Sequence, residues 1–329
     1  MSEPHDSSAA IHGRPPARVD APCELHLDWG GLGGFLLRSN CDLTASIGRE
    51  AGGLLRPLPH AAPAMILTLA CQPEVGVLPP DYCRFEHAID PDRPEATFRL
   101  FGLHSEDELV LTAITAAALL IRCRLMNLRG EALHLHAAVV HKAGRTLLLA
   151  GESGAGKSTL TALLCNHGWR YLSDEDALLA GGIAHPLPRL LRMDAASADW
   201  LGLRSACTPF CGFFGERGWR WNGASAGYYA DPAHVDAIVL LQRGDFPVVE
   251  RSDPTPEEAA FRLLPLVQRE RLGLAEEGEE RARAAALRYN RQIPPALNRL
   301  LERVPVARLR YRLGGAPELL AQRFEELML

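Results

Sequence analysis

The chain has no bulk basic charge, no paired-cysteine motif, no apolar run long enough to cross a bilayer and no internal repeat. With 35 Lys and Arg against 40 Asp and Glu, its formal charge is −5, so no basic field exists to hold nucleic acid or anionic lipid. Eight cysteines are scattered along it without a CxxC pair or a His/Cys cluster, which argues against a structural zinc site. Only Cys207 and Cys211 stand close together, and the set reads as free, mostly buried thiols of a reducing cytoplasm. The longest apolar stretch, residues 109–121 apart from two threonines, spans 13 residues between acidic and arginine flanks. A membrane span needs about 20, so this stretch reads as a buried helix. Residues 1–18 are polar and lack the apolar segment of a secretory signal.

What is present begins with enough apolar material for a full core, 47% of 329 residues, and a length that suits two domains or one with a large extension. Residues 1–22 read as a disordered tail, 23–130 as an α+β domain, and 131–329 as a second, α/β domain. In the first domain, strand-like pieces begin at Cys23, Phe35 and Met65, and Ser105 with Glu108 makes a capping box for a helix running to about Asn127 and stopping at Gly130. In the second, residues 136–141 and 145–150 bracket the turn at Lys142-Ala-Gly144 and read as a hairpin, and residues 169–173 and 235–241 as strands. Thr255-Pro-Glu-Glu258 starts a helix, residues 270–291 suit a solvated helix face, residues 306–312 alternate as a strand, and 317–329 close the chain as a helix.

Residues 151–158 read Gly-Glu-Ser-Gly-Ala-Gly-Lys-Ser and fill every position of the pattern G-x-x-x-x-G-K-[ST]. An apolar strand at 146–150 precedes it and a helix-forming run at 158–165 follows. Such a loop cradles phosphates with its backbone N–H groups, helped by a helix N-terminus carrying roughly +0.5 charge. Gly151, Gly154 and Gly156 allow close backbone approach, while Glu152, Ser153 and Ala155 complete the loop and Thr159 follows it. Lys157 is expected to reach the β- and γ-phosphates and Ser158 to ligate Mg²⁺, so the motif predicts binding of a nucleoside triphosphate.

Asp174 lies 17 residues beyond Lys157 at the end of the next strand, where a carboxylate can hold Mg²⁺ or accept a proton. It also reads as a strand-end turn residue, as does Glu175 beside it, and Asp176 reads as structural. His136, 21 residues before Lys157, reads by itself more as a core histidine than as a catalytic one. Residues 200–230 set eight aromatics among glycines, which composition assigns to packing before substrate contact. Were they a substrate loop, Arg217, Trp219 and Arg220 would be its contacts.

The block from Leu135 to Thr159, continuing through Gly168-Trp-Arg-Tyr-Leu-Ser-Asp-Glu175, resembles the HPr kinase/phosphorylase superfamily, most of all its related kinases found beside bacterial peptide-tailoring genes. The resemblance covers about residues 131–320 and is specific over 131–176. It implies a P-loop kinase domain of the phosphoenolpyruvate-carboxykinase-like type carrying an N-terminal α+β domain. It further implies Mg²⁺-dependent transfer of the γ-phosphate of ATP to a serine of a peptide or small protein, such as a ribosomal peptide precursor, in the cytoplasm. By the same resemblance Asp174 stands near metal and nucleophile, Glu175 is the other base candidate, His136 tunes the pair, and Arg192 in Pro186-Leu-Pro-Arg-Leu-Leu-Arg192 is the basic residue of the nucleotide site. Homo-oligomers, as rings or dimers, are common in that family. Two features depart from the family's HPr-phosphorylating members: Glu175 replaces their second aspartate, and their glycine-rich phosphorylase signature is not found. A nucleotide-gated binding module and a small-molecule kinase are the competing readings.

Overall fold

Leu147 and Leu149 enter one buried cluster while Leu148 and Ala150 enter another, and Ala138 and Val140 alternate with Ala137 and Val139 in the same way. That period of two is what a strand buried on both faces requires, and it places a sheet between two layers. The computed structural model describes residues 18–28, 32, 34–51, 56–57, 63–72, 84–90, 95–101, 106–187, 189–211, 217–221, 227–229, 231–246, 249–269 and 280–329. The architecture is mixed α/β, with several sheets.

The first sheet uses β1 (Arg18–Asp28), β2 (Gly34–Cys41), β3 (Arg56–Pro57), β4 (Met65–Gln72), β5 (Arg84–Asp90) and β6 (Glu95–Phe101), in the order β3-β1-β2-β4-β6-β5. Helix α1 (Thr44–Ala51) follows β2, and α2 (Glu106–Arg129) covers the apolar face made by Phe35, Leu37, Met65, Leu67, Leu69, Phe98 and Leu100. Arg18 already pairs with Cys41, so residues 18–22 are strand where a disordered tail is expected, and residues 1–17 lie outside the described residues. Ser105, the expected helix cap, lies outside them too, while Gly130 ends α2 with φ 71°. By length and composition α2 could cross a membrane, but 72% of its apolar window is buried inside the protein.

The central sheet combines β8 (Ala137–Lys142), β9 (Arg145–Ala150), β10 (Arg170–Ser173), β17 (Ala237–Arg243), β18 (Glu250–Ser252) and β19 (Val306–Tyr311), ordered β10-β8-β9-β17-β19-β18. Strands β8 and β9 form the expected hairpin across Ala143 and Gly144, whose φ of 50° and 78° make the turn that matches strand twist. Strands β9, β17 and β19 run parallel. Helices α3 (Lys157–Asn166) and α7 (Pro317–Met328) cover one face, and α5 (Pro256–Leu263) and α6 (Glu280–Arg303) the other. Thr255 caps α5 by accepting from the Glu258 amide, as its sequence predicts.

Two smaller sheets complete the fold. Strands β7 (Leu133–Leu135), β11 (Ala177–Ala180), β12 (Ile183–His185) and β16 (Ala233–His234) are ordered β16-β12-β11-β7. Strands β13 (Arg192–Met193), β14 (Cys207–Cys211) and β15 (Arg217–Trp221) form the other, next to the short helix α4 (Ala195–Trp200). The aromatic-rich segment is therefore, in its described part, a packed sheet, with Trp221 buried in the cluster of α3 and Trp219 half-buried against it. Residues 212–216 and 222–226 lie outside the described residues, and Arg217 is described in its backbone alone.

Candidate functional site

Strand β9 delivers the chain into the glycine loop, and α3 begins on leaving it. Gly154 and Gly156 have φ of 79° and 85°, a left-handed backbone that a side chain would strain. Gly151 is packed so closely that a Cβ there would stand 2.9 Å from Ala155 Cβ and 3.0 Å from the Leu241 carbonyl of β17. Gly156, the residue preceding α3, supplies no side-chain cap, so the first amides of the helix are left to the loop. The Tyr311 hydroxyl, from the end of β19, donates to the Ala155 carbonyl and ties the loop to the central sheet.

Lys157 is buried, and its Nζ donates to the carbonyls of Gly151 (2.8 Å) and Glu152 (3.1 Å). Burial lowers its pKa, while the charges of Asp174 and Glu175 work the other way. Glu152 and Ser153 are exposed at the rim, with Arg262 of α5 at 4.0 Å from the Glu152 carboxylate. The Thr159 hydroxyl is paired at 3.0 Å with that of Ser197 in α4, so its side chain is engaged inside the protein.

Between β10 and β11 the chain leaves the central sheet for the β7–β11 sheet, and the three acidic residues occupy that corner. Asp174 is buried, stands close enough to the Ser158 hydroxyl to be stabilised by it as a carboxylate, and keeps an Oδ1 with no hydrogen-bond partner. Burial and the neighbouring Glu175 charge push its pKa up to about 7, against the pull of Ser158, Arg189 and Lys157. Glu175 has φ 68°, which costs a residue with a Cβ about 1–2 kcal/mol. Its carboxylate meets Arg189 Nη2 at 2.5 Å, and its carbonyl lies 3.2 Å from His136 Nδ1. Asp176 uses both oxygens inside the protein, Oδ1 with His134 Nε2 (2.8 Å) and Oδ2 with Arg189 Nη1 (3.1 Å). Burial alone would raise its pKa, but His134 and Arg189 outweigh that and hold it below the usual range. His136 is lowered by burial and by the Lys157 charge, with Glu175 and Asp176 opposing, and so is neutral at pH 7.

The structure thus brings His136, the glycine loop, Lys157, Ser158, Asp174 and Glu175 into one cluster. Arg192 is placed in β13, cross-strand from Arg220, with its guanidinium 4.6 Å from the Phe210 ring centroid. Both arginines are buried. Sequence reasoning missed Arg189, His134 and Tyr311, whose partners lie from 13 to 156 residues away. No local spacing announces such pairs.

Among the described residues, no group of three or more His, Cys, Asp or Glu is placed to hold a metal by itself. Ser158 with the unsatisfied Asp174 Oδ1 is instead the sparse oxygen donor set that suits Mg²⁺ when phosphates supply the remaining ligands. The residues present fit both ions, phosphate at the amides and a divalent cation at the carboxylate.

The family model described as "SynChlorMet cassette protein ScmC" matches residues 103–199, a stretch that includes α2, the hairpin, the loop and the acidic corner. No curated protein matches the chain. Among solved structures, the HPr(Ser) kinase/phosphatase from Coxiella burnetii is similar at 11% identity, covering 59% of this chain and 96% of that one, with a TM-score of 0.27.

Proposed function

We propose that this protein is an ATP-dependent kinase that transfers the γ-phosphate to a serine hydroxyl of a peptide or small protein. The observation that carries this reading is the buried Asp174 carboxylate, its Oδ1 without a hydrogen-bond partner, beside Ser158 at the start of α3. A module that only bound nucleotide would gain nothing from burying a carboxylate with an open lone pair beside its phosphate loop, since that costs stability. The loop amides and Lys157 hold the triphosphate. Bound Mg²⁺, on Ser158 and Asp174, would neutralise charge on the β- and γ-phosphates. The acceptor oxygen forms a bond to the γ-phosphorus as the bond to the β-phosphate oxygen breaks, ADP leaves, and the hydroxyl proton passes to the acidic pair Asp174 and Glu175. Lys157 offsets charge on the transferred group, so catalysis rests on positioning and electrostatics. Neutral His136 holds the Glu175 backbone rather than exchanging protons itself.

The test is phosphotransfer from labelled ATP to serine peptides, to HPr and to free serine in parallel, with three forms of the full chain. Wild type should label a peptide or protein serine. Lys157→Ala should lose nucleotide affinity together with turnover. Asp174→Asn should keep metal-free nucleotide binding and lose about 10²–10⁴ in rate. Tight ATP binding with no transfer to any acceptor would favour a nucleotide-gated binding module, and labelling of free serine alone would favour a small-molecule kinase.

A further inference from the structure

The corner that presents Asp174 is an awkward piece of backbone. Strand β10 pairs with β8 in the central sheet, while β11, three residues later, pairs with β7 in a different one. The chain turns between them by taking Glu175 to φ 68°, and among the described residues only Ala143 shares that conformation without being glycine. Ala143 sits in a hairpin whose geometry demands it. Glu175 has no such turn to enforce it, so its contacts must hold it there: His136 meets its carbonyl, and further contacts come from its carboxylate.

The carboxylate contacts converge on Arg189. Its guanidinium spans two successive acidic residues, with Nη2 at 2.5 Å from Glu175 and Nη1 at 3.1 Å from Asp176. The arginine is 7% exposed, and its own carbonyl accepts from the Tyr171 hydroxyl of β10 at 3.1 Å. His134 holds the far oxygen of Asp176, so Asp176 is fixed between β7 and Arg189. A planar fork can bridge two carboxylates in a fixed relative orientation, which a single ammonium cannot do.

We propose that Arg189 is the positioning residue of the acidic corner: by bridging Glu175 and Asp176 it keeps Glu175 left-handed and so keeps the Asp174 carboxylate turned onto Ser158. The inference deepens the kinase reading and rests on it. Arg189 acts through the carboxylates, and Asp174 remains the group that meets metal and substrate.

The test uses full-length Arg189→Met and Arg189→Lys. Four quantities are measured: kcat, the Mg²⁺ concentration giving half-maximal turnover, the metal-free affinity for a fluorescent ADP analogue, and the melting temperature. Arg189→Met should lower kcat and raise the Mg²⁺ midpoint, each by about 10–100-fold, the usual penalty for losing a group that orients a metal ligand. Its metal-free ADP affinity should stay within about twofold, because the loop amides and Lys157 are untouched. Arg189→Lys, able to make one of the two bridges, should recover part of both losses. A folded Met variant with wild-type kcat and Mg²⁺ midpoint overturns the proposal, even if its melting temperature falls. If the Met variant does not fold, the Lys variant decides by the same two quantities. Failure of the underlying kinase reading looks different, since wild type itself would then show no Mg²⁺-dependent ATP turnover.

Discussion

The hydroxyl of Tyr311 donates to the Ala155 carbonyl, and the same oxygen lies 2.7 Å from where a Cβ on Gly156 would stand. One atom therefore both fixes the glycine loop and forbids a side chain at its last glycine. Tyr311→Phe removes the donor and leaves a buried carbonyl unpaired, a loss of about 1–3 kcal/mol that loosens the loop. Nucleotide affinity measured by calorimetry should fall about three- to tenfold. Gly156→Ala should be worse, because it adds left-handed strain to the clash with the hydroxyl. Combined, the two should cost less than the sum, since Phe vacates the space the new methyl needs. Additive losses would mean that Tyr311 does not set the loop's shape. At this scale the glycine loop, Lys157 and Ser158 could be named as candidates because they stand in one contiguous pattern, and Asp174 and Glu175 because they end the strand after it, where the structure places them beside Lys157. Tyr311 and Arg189 could not, because an apolar strand end and a Pro-rich stretch carry no sign of what they meet in space.

Elements bounded by local chemistry were readable for the same reason. The β8–β9 hairpin declares itself by its turn, α5 by its Thr255 cap, and α7 by Pro317 at its first position. Of the strands of two to four residues, β10 was read, as 169–173, but β7, β11, β12, β13 and β16 were not, being too short for a period to show. Their pairing is decided by long-range contacts such as Ala177 opposite Leu135. The sheet of β13, β14 and β15 also changes what is expected of its residues. Arg220 is 7% exposed, stands cross-strand from buried Arg192, and lies within a strand rather than on a mobile loop. Arg220→Ala should therefore lower the melting temperature by several degrees, through lost packing and an altered buried charge network, with the acceptor KM unchanged. A raised acceptor KM at unchanged melting temperature would return this strand to the substrate site.

Across the whole molecule, β11 belongs to two cores at once. Leu178 and Ala180 join the cluster under α2, while Ala177 and Leu179 join the one beneath α6. Opposite Leu178 stands His185 of β12, buried, with an Nδ1 that finds no hydrogen-bond partner. Burial first, and the Arg129 charge second, lower its pKa from 6.5 to about 4. Above pH 6.5 the imidazole is neutral in folded and unfolded chains alike and has no bearing on the balance. Below it the unfolded chain takes up a proton that the folded one refuses, so stability falls between pH 6.5 and about 4. The loss at this one residue is about 2 kcal/mol by pH 5 and about 3 kcal/mol at its limit. Other histidines lowered by burial, His136 and His141, add to the same slope, so the test must isolate His185. Urea unfolding at pH 7 and pH 5 should show wild type losing more stability than His185→Leu, by about 2 kcal/mol. Equal losses in the two proteins would mean that His185 titrates normally in the folded chain. A smaller loss in the variant would place the acid-sensitive joint of the fold where the strand shared by its two cores pairs with its neighbour.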